Sequence, residues 1–333
     1  MYPEHVVAGF LLLALIFYAI TGGADFGGGM WDLLATGQRA KEQRRAIARA
    51  IGPIWEANHV WLILVVVILF TAFPWAFAGM MTALNIPITM MLVGVIFRGC
   101  AFIFRKYDSR KEEVQDRWST MFGAASFFTP MVQGVTLGAL ATGHIRIEKG
   151  SVTTGFLVAW LTPFAFVCGL FALGLCAFLA ATYLTIDTTG QPKVQDDFRL
   201  RALLSEFALV PIALVAFFTS RTGAPEIFRG LTSNWAFLLE GATICCVAVA
   251  LLSLWWRRFQ IARLAAIGQT TLVLLGWSLA QYPYLIVPDV TIGNAAAPAV
   301  TLRLLMIALV LGTILLLPSL FFLFYIFKGN DTA

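Results

Sequence analysis

Histidine is nearly absent from this chain: His5, His59 and His144 are the only ones among 333 residues. A haem held inside a membrane by two imidazoles needs a converging pair. These three lie at the terminus, at the head of the second apolar run and at the far end of the fourth, so the chain is expected to hold no haem of its own. Cysteine is little better supplied. Cys100, Cys168, Cys176, Cys245 and Cys246 form no CxxC pair and all fall in apolar runs, which predicts small buried apolar residues rather than a redox or metal centre. P-loop, dinucleotide fingerprint, nucleophile elbow and metal-ligand cluster are all missing. Any redox chemistry in which the chain takes part must draw its cofactor from another chain. No linker long enough to separate domains, low-complexity tract or clear repeat interrupts residues 1–333, so a single membrane domain is expected.

Charge is the third shortage: 12% of residues are charged against 59% hydrophobic, and the mean hydropathy is +0.83. That composition describes an all-α polytopic membrane protein. A spanning helix needs about 20 mainly apolar residues, and windows of that size give about nine. They run approximately Val7–Trp31, Ile54–Ala78, Met81–Phe104, Met121–Thr142, Phe156–Ile186, Ala202–Ser220, Ala236–Trp256, Leu264–Val287 and Leu302–Phe327. The first should stay in the mature protein, because Met1 to His5 supply no basic n-region and no cleavage pattern follows. Basic residues crowd alternate loops, from Arg39 to Arg49, Arg105 to Arg117, Lys193 to Arg201, Arg257 to Arg263 and at Lys328. The opposite side holds Arg146, Lys149, Arg221, Arg229 and Arg303. The positive-inside rule then predicts an N-terminus outside and a C-terminus in the cytoplasm. This topology accounts for the net charge of +5 and the pI near 9.1, and no nucleic-acid partner is inferred from them. The loop from Thr36 to Pro53 is expected to form a short basic surface helix that Gly52-Pro53 ends.

The few polar groups inside the apolar runs are the informative ones, because a charge at the centre of a membrane helix costs roughly 2.5 to 3.5 kcal/mol on insertion scales. Gly52-Pro53-Ile54-Trp55-Glu56-Ala57-Asn58-His59-Val60-Trp61 puts a carboxylate, a carboxamide and an imidazole at the threshold of one run. Arg98 lies seven residues before Arg105, at a depth comparable to that of Glu56, and is the expected charge partner. Asp25 stands in the glycine-rich stretch Thr21 to Gly29, where the helix is weakened and a neighbour or water can approach the backbone. Together these residues suggest a hydrophilic notch opening from the cytoplasm. Two readings stand side by side: Glu56 as a proton acceptor handing protons to His59 and water, or Glu56 in a structural ion pair with Arg98. His59 and Asp25 likewise read either as proton carriers or as packing residues. Ser126, Thr129 and Gln133 share a face of the fourth run, beside the pair Gly134 and Gly138, and read as a water file or as helix packing. Glu206 is close to the loop of Arg199 and Arg201 and Glu240 is near the outer surface, so both have an inexpensive structural reading.

Four stretches carry a resemblance. Gly23-Ala24-Asp25-Phe26-Gly27, the run from Gly52 to Leu62, Phe97-Arg98-Gly99, and Trp277 to Tyr284 with the following Pro288 to Ile292 resemble subunit II of the cytochrome bd quinol oxidases. The resemblance spans essentially the whole chain, in order. It implies nine helices as two four-helix bundles plus one peripheral helix, which would correspond to halves at 1–150 and 151–300 and a last helix over 301–327. It implies a partner subunit I that carries haem b and haem d-type groups and oxidises quinol, while this subunit holds no haem. Dioxygen is then reduced to water in a prokaryotic cytoplasmic (inner) membrane, with protons taken from the cytoplasm. A structural quinone in this subunit and a small third subunit also belong to what the family allows, and neither has a motif here.

Residue by residue, the resemblance carries proton uptake onto Glu56, with Asn58 and His59 in the same motif. Asp25 matches the acid of the first-helix motif, Arg98 the third-helix arginine and Ser126 a polar position along a water path. Trp61 matches a tryptophan near a lateral oxygen route. Many members have aspartate at the position of Glu56 and a second acid near Gly22 and Gly23, and some have an acid at the position of Ile103, so the acids here are sparser. Two rivals remain: a proton-coupled transporter, which also wants a glycine-broken helix with an acid, and a pure membrane scaffold.

Overall fold

The computed structural model describes residues 2–52, 55–107, 112–148 and 150–328. Pro53, Ile54, Arg110, Lys111 and Lys149, used in the readings above, lie outside them. In chain order the elements are α1 (Pro3–Leu33), α2 (Ala40–Ile51), α3 (Trp55–Ala72), α4 (Pro74–Ala83), α5 (Asn85–Tyr107) and α6 (Glu112–Ala141). The hairpin β1 (Ile147–Glu148) and β2 (Ser151–Val152) follows, then α7 (Pro163–Asp187), α8 (Pro192–Gly223), α9 (Pro225–Leu231), α10 (Ala236–Trp255) and α11 (Phe259–Gln281). A second hairpin, β3 (Tyr284–Ile286) and β4 (Val290–Thr291), precedes α12 (Ala299–Lys328). Among the described residues nine helices are long and apolar enough to cross a membrane: α1, α3, α5, α6, α7, α8, α10, α11 and α12.

These nine form two bundles and an outlier. In the first, α1 packs on α3 and α6, and α6 on α5; in the second, α7 packs on α8 and α11, and α10 on α11. The faces of α1 and α6 that meet α7 join the bundles. Helix α12 lies against α1 and α3 and is almost wholly uncovered, as expected of a peripheral helix.

Hydropathy placed the spans and proline moved their ends. The run expected to continue to Ala78 stops at Ala72, because Pro74 opens a new helix from a non-helical Phe73. The run expected from Phe156 begins instead at Pro163, with Thr162 as N-cap accepting from Ala165 N at 3.2 Å. The run expected to reach Val287 ends at Gln281: Tyr282 is extended (ψ 137°) and Pro283 offers no N–H to continue the ladder. The basic helix expected in the loop between the first two spans is α2, capped by Gly52. Cys100 and Cys245 face outward rather than inward. An outward face in a membrane is as apolar as the core, so composition does not separate the two.

The two ends of the molecule differ in chemistry. At the basic end, Asp197 of α8 accepts from Arg39 Nε (2.7 Å) and Nη2 (2.5 Å) and from Gln43 Nε2 (2.7 Å). Arg201 Nη2 donates to Gln43 Oε1 (2.8 Å), and Arg257 pairs with Asp196 at 2.9 Å. These contacts tie the α1–α2, α7–α8 and α10–α11 loops together. At the other end the two hairpins interlock: Asp289 accepts from Ile147 N at 2.8 Å and lies 3.2 Å from Arg146 Nε, and Val287 N donates to Leu140 O at 3.0 Å.

Candidate functional site

The glycine run of α1 exists for close packing. A Cβ on Gly27 would collide with the Cys176 carbonyl and lie 2.7 Å from Ala180 of α7, and one on Gly29 would collide with Ser126 of α6. Two helices can therefore press on α1 beside Asp25, which is buried. Asn58 Nδ2, from α3, donates to Asp25 Oδ2 at 2.6 Å. Arg98 of α5 is also buried, its guanidinium over the Phe26 ring (4.8 Å) and the Phe122 ring (5.3 Å), and the carboxylate in its electrostatic reach is Asp25. The ion pair expected between Glu56 and Arg98 is not formed among the described residues. Equal depth along two helices does not fix the direction in which each side chain points, and Asp25 is the acid on the inner side.

His59 is half-buried at the edge of this cluster. Its Nδ1 lies 3.1 Å from the Trp55 carbonyl, and since a carbonyl only accepts, Nδ1 carries the hydrogen and Nε2 is left as an acceptor. Nε2 has no partner among the described residues, and the same is true of Ser126 Oγ and of Arg98 Nε and Nη2. Thr129 Oγ1 bonds its own helix at Ala125 O (2.7 Å), and Gln133 Nε2 donates to Tyr18 Oη (2.7 Å). Of the three residues read as a water file or as helix packing, Ser126 is the one whose hydroxyl is left open among the described residues. Trp61 is buried and stacks on Phe17, with centroids 4.6 Å apart and planes 16° from parallel.

A second layer, which the sequence reading did not single out, repeats the first. Asp32 of α1 is buried and accepts from Ser119 Oγ of α6 at 2.6 Å and from Arg105 Nη1 of α5 at 2.9 Å. Asp25 and Asp32, Arg98 and Arg105, and Ser126 and Ser119 are each seven residues apart. Seven residues is two helical turns, so each pair shares a face at a spacing of roughly 10 Å. Phe122 links the layers, since the Arg105 guanidinium also lies over its ring at 5.4 Å. The seven-residue spacings were available in the sequence as a signal. What was missing was that three helices turn those faces toward one another.

Glu56 is placed differently. It lies in the first turn of α3, exposed on the outer face of the bundle, on one stripe with the exposed Ile63, Val67 and Phe70. Its neighbour Asn58 points the other way, to Asp25. The single turn of α3 thus stands between an acid on the flank and the buried polar layers. In the second bundle, Glu206, expected close to the loop of Arg199 and Arg201, is fully buried, with the Gln269 amide of α11 as the polar group facing it. Among the described residues no group of three or more His, Cys, Asp and Glu side chains is placed to hold a metal ion.

Comparison with known proteins follows this geometry. Residues 3–327 match the family model described as cytochrome bd terminal oxidase subunit II. The chain is 26% identical over 98% of its length, and 94% of the relative's, to the putative cytochrome bd menaquinol oxidase subunit II of Bacillus subtilis (strain 168). It is 32% identical to the cytochrome bd-I ubiquinol oxidase subunit 2 of Escherichia coli (strain K12), over 61% of this chain and 52% of that one. The bd oxidase structure from Geobacillus thermodenitrificans superimposes with a TM-score of 0.79 at 22% identity, covering 99% of this chain and 100% of the other, which supports the fold. With nine apolar helices in this arrangement and a family match over nearly its whole length, the chain belongs to the cytochrome bd terminal oxidase subunit II family.

Proposed function

We propose that this chain is the haem-free half of a quinol-oxidising bd complex and that it delivers protons from the basic, cytoplasmic end to a haem-bearing subunit I. Reduction of one dioxygen to two waters consumes four electrons and four protons, so a haem site sealed in the membrane needs a polar route to it. The observation that carries the reading is Glu56, an acid exposed on an otherwise apolar flank. Against lipid such a group is costly; against a partner subunit it is a hand-over point. Behind it, Asn58 connects to Asp25, and the open polar atoms of His59, Arg98 and Ser126 are of the kind that ordered water meets. Trp61, stacked beside the same helix, stands next to the route by which dioxygen would enter from the side.

The haems are assigned to subunit I. His5 bonds Tyr282 at the outer end and His144 is exposed at that same end, whereas His59 lies near the basic end, so the three imidazoles offer no converging axial pair. The concentration of Arg39, Arg44, Arg105, Arg201 and Arg257 at one end supports an N-terminus outside and a C-terminus inside. We read the chain as one domain with halves near 1–150 and 151–300. The test is Glu56→Gln in the assembled oxidase. Dioxygen consumption should fall roughly 100-fold or more, the scale of a lost positioned acid, while the haem spectrum is retained. Full turnover with full haem content would reject the assignment.

A further inference from the structure

Glu206 sits near the middle of α8 and is fully buried within the second bundle. Neither carboxyl oxygen has a hydrogen-bond partner among the described residues, and neither has Oε1 of the facing Gln269. Charged groups on the surrounding helices are engaged elsewhere. On α8 itself, Arg199 donates to the Leu254 and Trp255 carbonyls at the end of α10, and Arg201 reaches Gln43 and lies over Trp31. On α11, Arg263 lies over the Tyr183 ring at 4.8 Å. Helix α7 brings Asp187 at its basic end, α10 brings Glu240 near its outer end, and α1 brings Asp25, which faces Asn58 and Arg98. Among the described residues no cation pairs with Glu206.

An ionised carboxylate in that position would have one neutral amide and apolar side chains around it, an arrangement that desolvation strongly disfavours. One bound hydrogen resolves it. A carboxylic acid donates to Gln269 Oε1 and accepts from Gln269 Nε2, so each group completes the other. Two further buried hydroxyls without partners among the described residues, Thr182 Oγ1 and Tyr183 Oη, lie on the last turns of α7 toward the basic end. The Arg263 beside Tyr183 is six residues from Gln269 along α11, roughly 9 Å.

We propose that Glu206 is a second exchangeable-proton site of this chain, a carboxyl that rests protonated against Gln269 and trades its proton with the basic end through Thr182, Tyr183 and bound water. In each exchange the Glu206 O–H bond breaks as a water or hydroxyl oxygen takes the proton. A proton from the same relay re-forms the bond, so no net charge stays behind.

Infrared spectroscopy of the purified, assembled oxidase transferred from H2O to D2O tests this. A protonated-carboxyl C=O band that shifts down in D2O should be present in the wild type and in Glu56→Gln, and lost in Glu206→Gln. Loss of ionised-carboxylate stretches instead would overturn the proposal, and so would a spectrum unchanged by the substitution. Should Glu206→Gln not assemble, Glu206→Asp serves: the band must move, and a fixed band rejects the assignment. The relay is tested with Thr182→Val combined with Tyr183→Phe, which should slow the deuterium shift of this band. Exchange at the wild-type rate overturns the route. Because the readout is a band rather than turnover, it is independent of the outcome at Glu56.

Discussion

Both bundles bury acids, and they neutralise them in opposite ways. In the first, Asp25 and Asp32 face Arg98 and Arg105, with Asn58 of α3 donating to Asp25 and Ser119 of α6 to Asp32. In the second, Glu206 faces only an amide. The difference follows from geometry more than from composition. The seven-residue spacing on α1, α5 and α6 lets acid, base and hydroxyl recur at matching heights, whereas the arginines of α8 and α11 are drawn off to helix ends and aromatic rings. The first bundle keeps its ions fixed beside the flank that carries Glu56, and the second holds an acid whose neutrality depends on a proton.

The largest effect should come from breaking a charge pair in the first bundle. Arg98→Met leaves Asp25 buried without its cation, a change that costs about 3 to 5 kcal/mol when one member of a buried pair is removed. The yield of assembled, haem-loaded complex should collapse, and Asp25→Asn added to Arg98→Met should restore much of it. If Arg98→Met assembles as well as the wild type, the charge pairing of the first bundle is not structural and the contrast fails.

Next in size is the packing that holds the layers together. Gly29→Ala drives a methyl into Ser126, and overpacking of this kind costs about 1 to 3 kcal/mol. The melting temperature of the complex should drop, and Ser126→Gly should relieve the drop by clearing the space. A smaller effect is expected in the second bundle: Glu206→Gln replaces one neutral hydrogen-bonding group with another and should shift stability by about 1 kcal/mol or less. Asp32→Asn, which strips Arg105 of its acid, should cost several-fold more in the same melting assay. Equal losses for the two variants would erase the distinction between the bundles.

The sequence made helix count and span order legible because hydropathy over 20 residues measures what a bilayer demands. Helical rise gave the depth of Glu56 and Arg98 along their helices, and the structure gathers Asp25, Asn58, His59 and Arg98 around α1 near one end. It could not supply direction around each helix axis. That is why Arg98 was expected beside Glu56 and was found beside Asp25, and why Asp32, seven residues beyond a motif acid, drew no notice. Span ends were blurred for a different reason: the apolar residues before Pro74, before Pro163 and after Pro283 suit a membrane surface or an outer cap as well as a helix interior. Arg199 and Arg201, close to Glu206 in sequence, give it an inexpensive structural reading, yet both reach across to other elements.

The smallest prediction compares the way the helices end. After α1 and after α7 the chain turns with positive φ at glycine, Gly37 at 79° and Gly190 at 89°; after α10 it does so at Arg257, at 60°. The turn itself is a regular C-terminal cap, with Arg258 N donating to Ser253 O at 2.7 Å and Arg257 N to Leu254 O at 3.3 Å. A side chain with a Cβ in this conformation costs roughly 1 to 2 kcal/mol. Arg257→Gly removes that strain and forfeits the ion pair with Asp196. Since both partners are about half exposed, 52% and 43%, the pair contributes about 0 to 1 kcal/mol. The strain term is the larger, so Arg257→Gly should raise the melting temperature slightly, with the gain growing in high salt as the wild-type ion pair weakens. A fall in melting temperature at every salt concentration would mean that Arg257 holds the α7–α8 loop more tightly than its exposure suggests.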